Sequence, residues 1–195
     1  MRAVIASVPA AGWVMEIVPV GEVDYDLVAW LADELQPRFG VRSTIGEPFG
    51  CRAEWFDPSR GQHCADLILD SLVDWRSARG TMEAVRFWSL GVADLNLYAA
   101  DRPFVFGVAT VGGCCALIGI ARLRDGAGPA TEHCFRERVL KEAVHELGHV
   151  AGLEHCPAST CVMYSSPGLA ETDRKTTEFC AVCTLRLIEC LNDGS

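Results

Sequence analysis

The stretch HELGHVAGLEHC, from His145 to Cys156, constrains this 195-residue chain more than any other. His145 and His149 are four residues apart. On a helix turning about 100° per residue they leave nearly the same side, one turn apart, and so suit one zinc ion. Glu146 points about 100° further round. There it is poorly placed as a ligand but well placed beside a metal-bound water, whose pKa zinc lowers to about 7. Gly152 is the residue type that ends a helix in the left-handed conformation at low cost, so the chain can turn and return His155 to the metal. Three neutral nitrogens with an open fourth position make a catalytic type of site, whose natural chemistry is hydrolysis of an amide bond. The competing reading is a helix with surface histidines. Against it, three of the chain's five histidines fall in one H-E-x-x-H-x-x-G-x-x-H pattern.

Cys156 opens a second pattern. With Cys161, Cys180 and Cys183 it spells C-x4-C…C-x2-C, 18 residues separating the pairs. Four thiolates satisfy zinc tetrahedrally and leave no open position, which is the structural type of site. The last pair falls where a final helix begins, and the free N–H groups and dipole there favour thiolates. Two disulfides or four free thiols are the alternatives. His155 and Cys156 are neighbours with different tasks: in an extended chain successive side chains point to opposite sides, so one faces each metal. Cys51, Cys64, Cys114, Cys115, Cys134 and Cys190 receive no function. Cys114 and Cys115 read as small core residues, and His63 and His133 as ordinary surface or half-buried histidines.

Composition narrows the setting. Half the residues are hydrophobic, enough for a full core. Lysine plus arginine is 17 against 26 for aspartate plus glutamate, a net charge of −9. An acidic chain without a basic run is a poor binder of nucleic acid. Reduced cysteines in a metal site favour a reducing compartment, so a cytoplasmic location is expected. The N-terminal MRAVIASVPAAGWVMEIVPV carries one arginine, two prolines and Glu16 within its apolar run, and reads as a first strand and not a signal. Residues 103–121 are uncharged and long enough to span a bilayer. The Gly112-Gly113 pair divides them into two β-branched runs, which reads as two buried strands around a turn. No membrane association and a monomeric state are expected.

Periodicity then places the elements. Strands are expected over 13–20, 39–46 and 84–91, with two more in 104–121. Helices are expected over 23–36, ending before Pro37, and over 63–78, 131–151 and 181–192. Leu67, Ile68, Leu72 and Trp75 form the inward stripe of the second helix, and Val182, Leu185 and Ile188 that of the last. Alternation of the two types suggests a mixed sheet backed by helices.

His145, Glu146, His149, Gly152 and His155 match the zinc motif of the metzincin metallopeptidases, and Met163, in CVMY, stands where that clan has its methionine turn. With Cys156, then x4-C-x-M, then C-x2-C, the whole resembles the archaemetzincin family. The resemblance covers roughly 90–190 well and reaches 1–90 only in the order of elements. It implies an α+β, zincin-like fold of two subdomains. Residues 1–152 would form a mixed twisted sheet with backing helices and the active-site helix. Residues 153–195 would form a small lobe with the methionine turn and the four cysteines. It further implies that His145, His149 and His155 bind catalytic zinc, that Glu146 is the general base, and that a second zinc sits on the cysteines. The substrate would lie extended along an edge strand, here the second half of the hairpin at about 114–121, and Tyr164 is a candidate contact for the zinc or the oxyanion.

The leading reading is thus a zinc peptidase acting on peptides or proteins. The rival is a catalytically weak or inactive zinc-containing peptide-binding or adaptor protein, against which the presence of Glu146 argues.

Overall fold

The computed structural model describes residues 13–80, 86–125 and 132–193. The reading of the first twelve residues lies outside the described residues, as do positions 84, 85 and 131 of two expected elements. Strands β1 (Trp13–Val20), β2 (Arg42–Ile45), β5 (Arg86–Ala93), β9 (Cys115–Gly119) and β8 (Gly107–Ala109) form a five-stranded sheet in the order β2-β1-β5-β9-β8. The first four are parallel and β8 is antiparallel to β9. A second, four-stranded sheet, unforeseen in the sequence, orders β3 (Phe56–Asp57), β4 (Gln62–Cys64), β6 (Leu97–Ala99) and β7 (Arg102–Val105) side by side. Its strands have only two to four residues, too short for a period-2 pattern to register.

Parallel strands buried on both faces read as near-continuous apolar runs, and β9 is buried throughout. One face of the large sheet packs on helices α1 (Tyr25–Phe39) and α3 (Glu132–Val150), through Met15, Ile17, Leu90, Val92, Ala116 and Ile118. Val18, Val20, Ala93 and Leu117 on the other face meet α2 (Ala65–Ala78) through Ile68 and Leu72. Each such leucine or isoleucine removed from water contributes about 1.5–3 kcal/mol before the entropy of ordering it. Short helices α4 (Leu169–Arg174) and α5 (Ala181–Asp193) follow, and the described part of the chain after α3 contains no strand. None of the described helices is long and apolar enough to cross a membrane, and 103–121 lies in strands and turns.

Four local expectations are corrected. Helix α1 does not stop before Pro37 but runs to Phe39, and the chain leaves it at Gly40 with φ of 65°. Phe39 is fully buried with its ring 5.7 Å from both Trp88 and Phe179, and this packing holds the last turn past the proline. In α2, Leu67 faces solvent while Ile68 and Leu72 are buried. In α5 the inward residues are Cys183, Leu187 and Leu191, whereas Val182 and Leu185 are exposed. The Cys183 thiol is gathered in with the other three cysteines, and that anchor rotates the helix away from the face its apolar residues suggest. Finally, the edge of the large sheet is β8 and not the 114–121 segment. β9 is held on both sides, by β5 and by β8, so it has no free edge to offer a substrate.

Candidate active site and metal centres

Helix α3 carries His145, Glu146 and His149 in its last two turns, in the most buried part of the chain. It ends where the sequence asks: Gly152 has φ of 97°, its N–H bonds to His149 O at 2.9 Å, and Leu153 N–H reaches back to Gly148 O at 2.9 Å. This double closure satisfies the free carbonyls of the last turn and reverses the chain. His155 is returned beside the helix, its ring centre 5.3 Å from that of His145 and 4.9 Å from that of His149.

The tautomers follow from the hydrogen bonds. His145 Nδ1 lies 2.8 Å from Val162 O and His149 Nδ1 lies 2.7 Å from Leu153 O. A carbonyl only accepts, so in each ring Nδ1 carries the proton and Nε2 presents a lone pair. Those two Nε2 atoms face each other at 3.2 Å. Two lone pairs at that distance repel unless a proton or a metal ion lies between them, so the pair is arranged to share a cation. Burial holds His145 well below its ordinary pKa, with the charge of Lys175 and the neighbouring His149 adding to the effect. Burial lowers His149 and His155 too, so all three rings are suited to be neutral ligands. Ligand atoms of the three lie within 4.8 Å of one another. The donor set fits a zinc ion, with the backbone carbonyls fixing ring orientation.

Glu146 is 5% exposed, and burial, aided by the adjacent Glu142 carboxylate, pushes it up to about 8. Glu142 is itself buried one turn earlier on α3. Its Oε1 accepts from Thr172 Oγ1 at 3.1 Å and lies 3.0 Å from Lys175 Nζ. Lys175 Nζ is close enough for a full charge contact but is not aligned for a hydrogen bond, so the pair is electrostatic in character. No sequence pattern marks Lys175, which comes from beyond α4. A signal for Glu142 does exist, because it precedes Glu146 by four residues and so shares its side of the helix.

Sulfur atoms of Cys156, Cys161, Cys180 and Cys183 also cluster within 4.8 Å of one another, and none of the four is in a disulfide. Cys156 Sγ and Cys180 Sγ are 3.8 Å apart, and Cys180 N–H donates to Cys161 Sγ at 3.3 Å. The Cys183 backbone N–H, at the start of α5, draws Cys180 down to about 7, while burial pushes Cys161 and Cys183 up. The four sulfurs are close enough to share one ion, and the set fits tetrahedral zinc.

The two clusters share one short segment. Cys161 belongs to the sulfur cluster. Next to it, Val162 places its carbonyl on His145. Met163 is fully buried beneath α3, where any side chain at Gly148 would overlap its sulfur, and Met163 O accepts from Cys156 N–H at 2.9 Å.

A cleft opens over the histidines. It is lined above by β7 and β8 and by Val111, on its floor by Glu142, His145, Glu146 and His149, and below by Glu154, His155 and Ser165–Pro167. Tyr164 is not among the lining residues; its neighbours Ser165 and Ser166 are. Arg102 lines the rim, and its charge lowers His149, His155 and Glu146.

Comparison with known proteins agrees with this geometry. Residues 49–189 match peptidase family M54. An archaemetzincin of Pyrococcus furiosus is 35% identical over 91% of this chain and 94% of its own length. One from Methanopyrus kandleri is 44% identical over 69% and 71%. Among solved structures, the archaemetzincin of Archaeoglobus fulgidus in complex with malonate superposes with a TM-score of 0.74 at 33% identity, covering 89% of this chain and 99% of that one. A zinc-dependent peptidase of Methanocorpusculum labreanum superposes with a TM-score of 0.78 at 27% identity, over 89% and 99%. The chain belongs to the archaemetzincins, peptidase family M54, and is a zinc metallopeptidase of the metzincin type.

Proposed function

We propose that this chain cleaves peptide bonds in the cleft above α3, with His145, His149 and His155 holding a zinc ion and Glu146 as the general base. Cys156, Cys161, Cys180 and Cys183 hold a second, structural zinc. The observation that carries this reading is the pair of Nε2 lone pairs aimed at each other 3.2 Å apart, with a buried carboxylate one residue away. Zinc bound there supplies a Lewis acid that polarises the scissile carbonyl and makes water acidic near neutral pH. The rest falls to the chain's own side chains. Glu146 takes the proton of the attacking water and delivers it to the leaving amine nitrogen. Val162 O and Leu153 O keep the first two rings turned so that Nε2 faces inward. Substrate lies extended along β8, whose free edge offers backbone hydrogen bonds with little demand on sequence.

The residues before and after 152 act as an upper and a lower lobe around the cleft, the lower one organised by the cysteine site. The reduced cysteines accord with a cytoplasmic location.

Peptide-library cleavage with the zinc-loaded protein tests the reading. Glu146→Ala is expected to lose about 10²–10⁴-fold in rate while keeping its zinc, and metal analysis to give two zinc ions per chain. Equal cleavage by both variants would remove Glu146 from its role.

A further inference from the structure

Gly107, in the middle of the cleft's upper wall, makes an unusually close approach to Glu146. A methyl group built on its α-carbon would stand 2.6 Å from Glu146 Cγ, 2.6 Å from Oε1 and 2.8 Å from Cδ. Real side chains do not approach so closely. The obstacle is the carboxyl end of Glu146 itself, so a side chain at Gly107 fits only if that carboxyl moves from its place, out toward the cleft it lines. Gly107 has no need of glycine for its backbone, since its φ is not positive. Space is therefore the reason for glycine here.

The register of β8 adds a second consequence. Gly119 N–H donates to Phe106 O at 2.8 Å and Thr110 N–H to Cys115 O at 3.3 Å, with Gly107 opposite Ile118. In an antiparallel ladder the hydrogen-bonding direction alternates residue by residue. Phe106, Val108 and Thr110 thus turn their amides and carbonyls toward β9, while Gly107 and Ala109 turn theirs to the open edge. The same glycine that faces an incoming peptide with its backbone has the Glu146 carboxyl against its α-carbon.

We infer that Gly107 is a positioning residue for catalysis: its missing side chain is the seat of the Glu146 carboxyl, and it sets the base in register with the strand that receives the substrate. This rests on Glu146 being the base of the proposed reaction. A side chain at Gly107 points into the sheet face toward α3 and away from the open edge. Adding one therefore displaces the carboxyl without removing the backbone groups that pair with substrate. Misplacing a catalytic group by about 1 Å costs on the order of 10²-fold in rate.

A cycle of variants tests this. Gly107→Ala is expected to keep its zinc and its KM for peptides and to lose about 10²-fold in kcat. It is also expected to lower the Tm of the zinc-loaded protein. In a Glu146→Ala background the carboxyl it collides with is gone, so Gly107→Ala there should leave Tm unchanged and reduce the residual rate no further. Wild-type kcat in Gly107→Ala, loss of zinc from it, or an equal drop in Tm in both backgrounds would each overturn the inference. If the wild-type protein cleaves no peptide, the proposed function fails, and the Tm cycle still decides whether Gly107 seats the carboxyl.

Discussion

Two side chains matter to the floor of the cleft without belonging to any motif. Lys175 is fully buried, and its ammonium lies 3.0 Å from the carboxylate of Glu142, which is as deeply buried and is one helical turn from Glu146. Removing one partner of such a pair leaves a charge in a low-dielectric site, at a cost of about 3–5 kcal/mol, whereas replacing both with apolar groups is often close to neutral. Lys175→Met is therefore expected to destabilise the protein by about that amount. The double variant Lys175→Met/Glu142→Leu is expected to recover most of it, measured by urea unfolding of the metal-loaded protein. Additive losses would mean that the two residues stabilise the fold independently. At this same scale the motif histidines were legible because ligand spacing is a local property of a helix. Lys175 was not, because its partner lies 33 positions earlier in the chain.

Among the elements, β8 has the clearest functional consequence. It has three residues and sits at the sheet edge, with β9 on its inner side. Proline lacks the backbone N–H, so its effect depends on which way that N–H points. Ala109 turns its N–H outward, and Ala109→Pro is expected to raise KM for peptides about 2–10-fold, the worth of one hydrogen bond. Val108→Pro removes a ladder bond to β9 and is expected to lower Tm more. Comparing KM and Tm of the two variants checks the register, and equal effects on both quantities would refute it. The sequence located both halves of this hairpin through the Gly112-Gly113 pair. It could not tell which half is the edge, since that depends on β5 arriving beside β9 from far away in the chain.

For the molecule as a whole, the histidine and cysteine clusters are tied together by Cys161, Val162 and Met163. One is in the sulfur cluster, the next orients His145, and the third packs under α3 while receiving the Cys156 N–H. Disturbing the sulfur cluster should then disturb the histidine site. Cys180→Ser/Cys183→Ser is expected to lose the structural zinc outright and to weaken zinc retention at the histidines, read as zinc content during titration with a chelator and as loss of peptidase rate. Unchanged retention at the histidine site would show that the centres are independent. Arg138 adds a further link between α3 and the lower part of the molecule. It pairs with both Asp173 oxygens at 2.7 Å and donates to Leu123 O and Asp125 O.

The sequence by itself determined the family's chemistry, the helical spacing of the histidines that come together, the glycine that reverses the chain, and the order of the long elements. Each of these is set by residues within a turn or two of one another, where local geometry dominates. Tertiary structure alone decided the small second sheet and the identity of the edge strand. It also set the rotation of α5, which puts Cys183 inward in place of Val182, and the contact that makes Gly107 a seat for Glu146. Those depend on which distant segments are packed together. Packing at near-crystalline density leaves a carboxyl and a missing methyl group to compete for the same few ångströms.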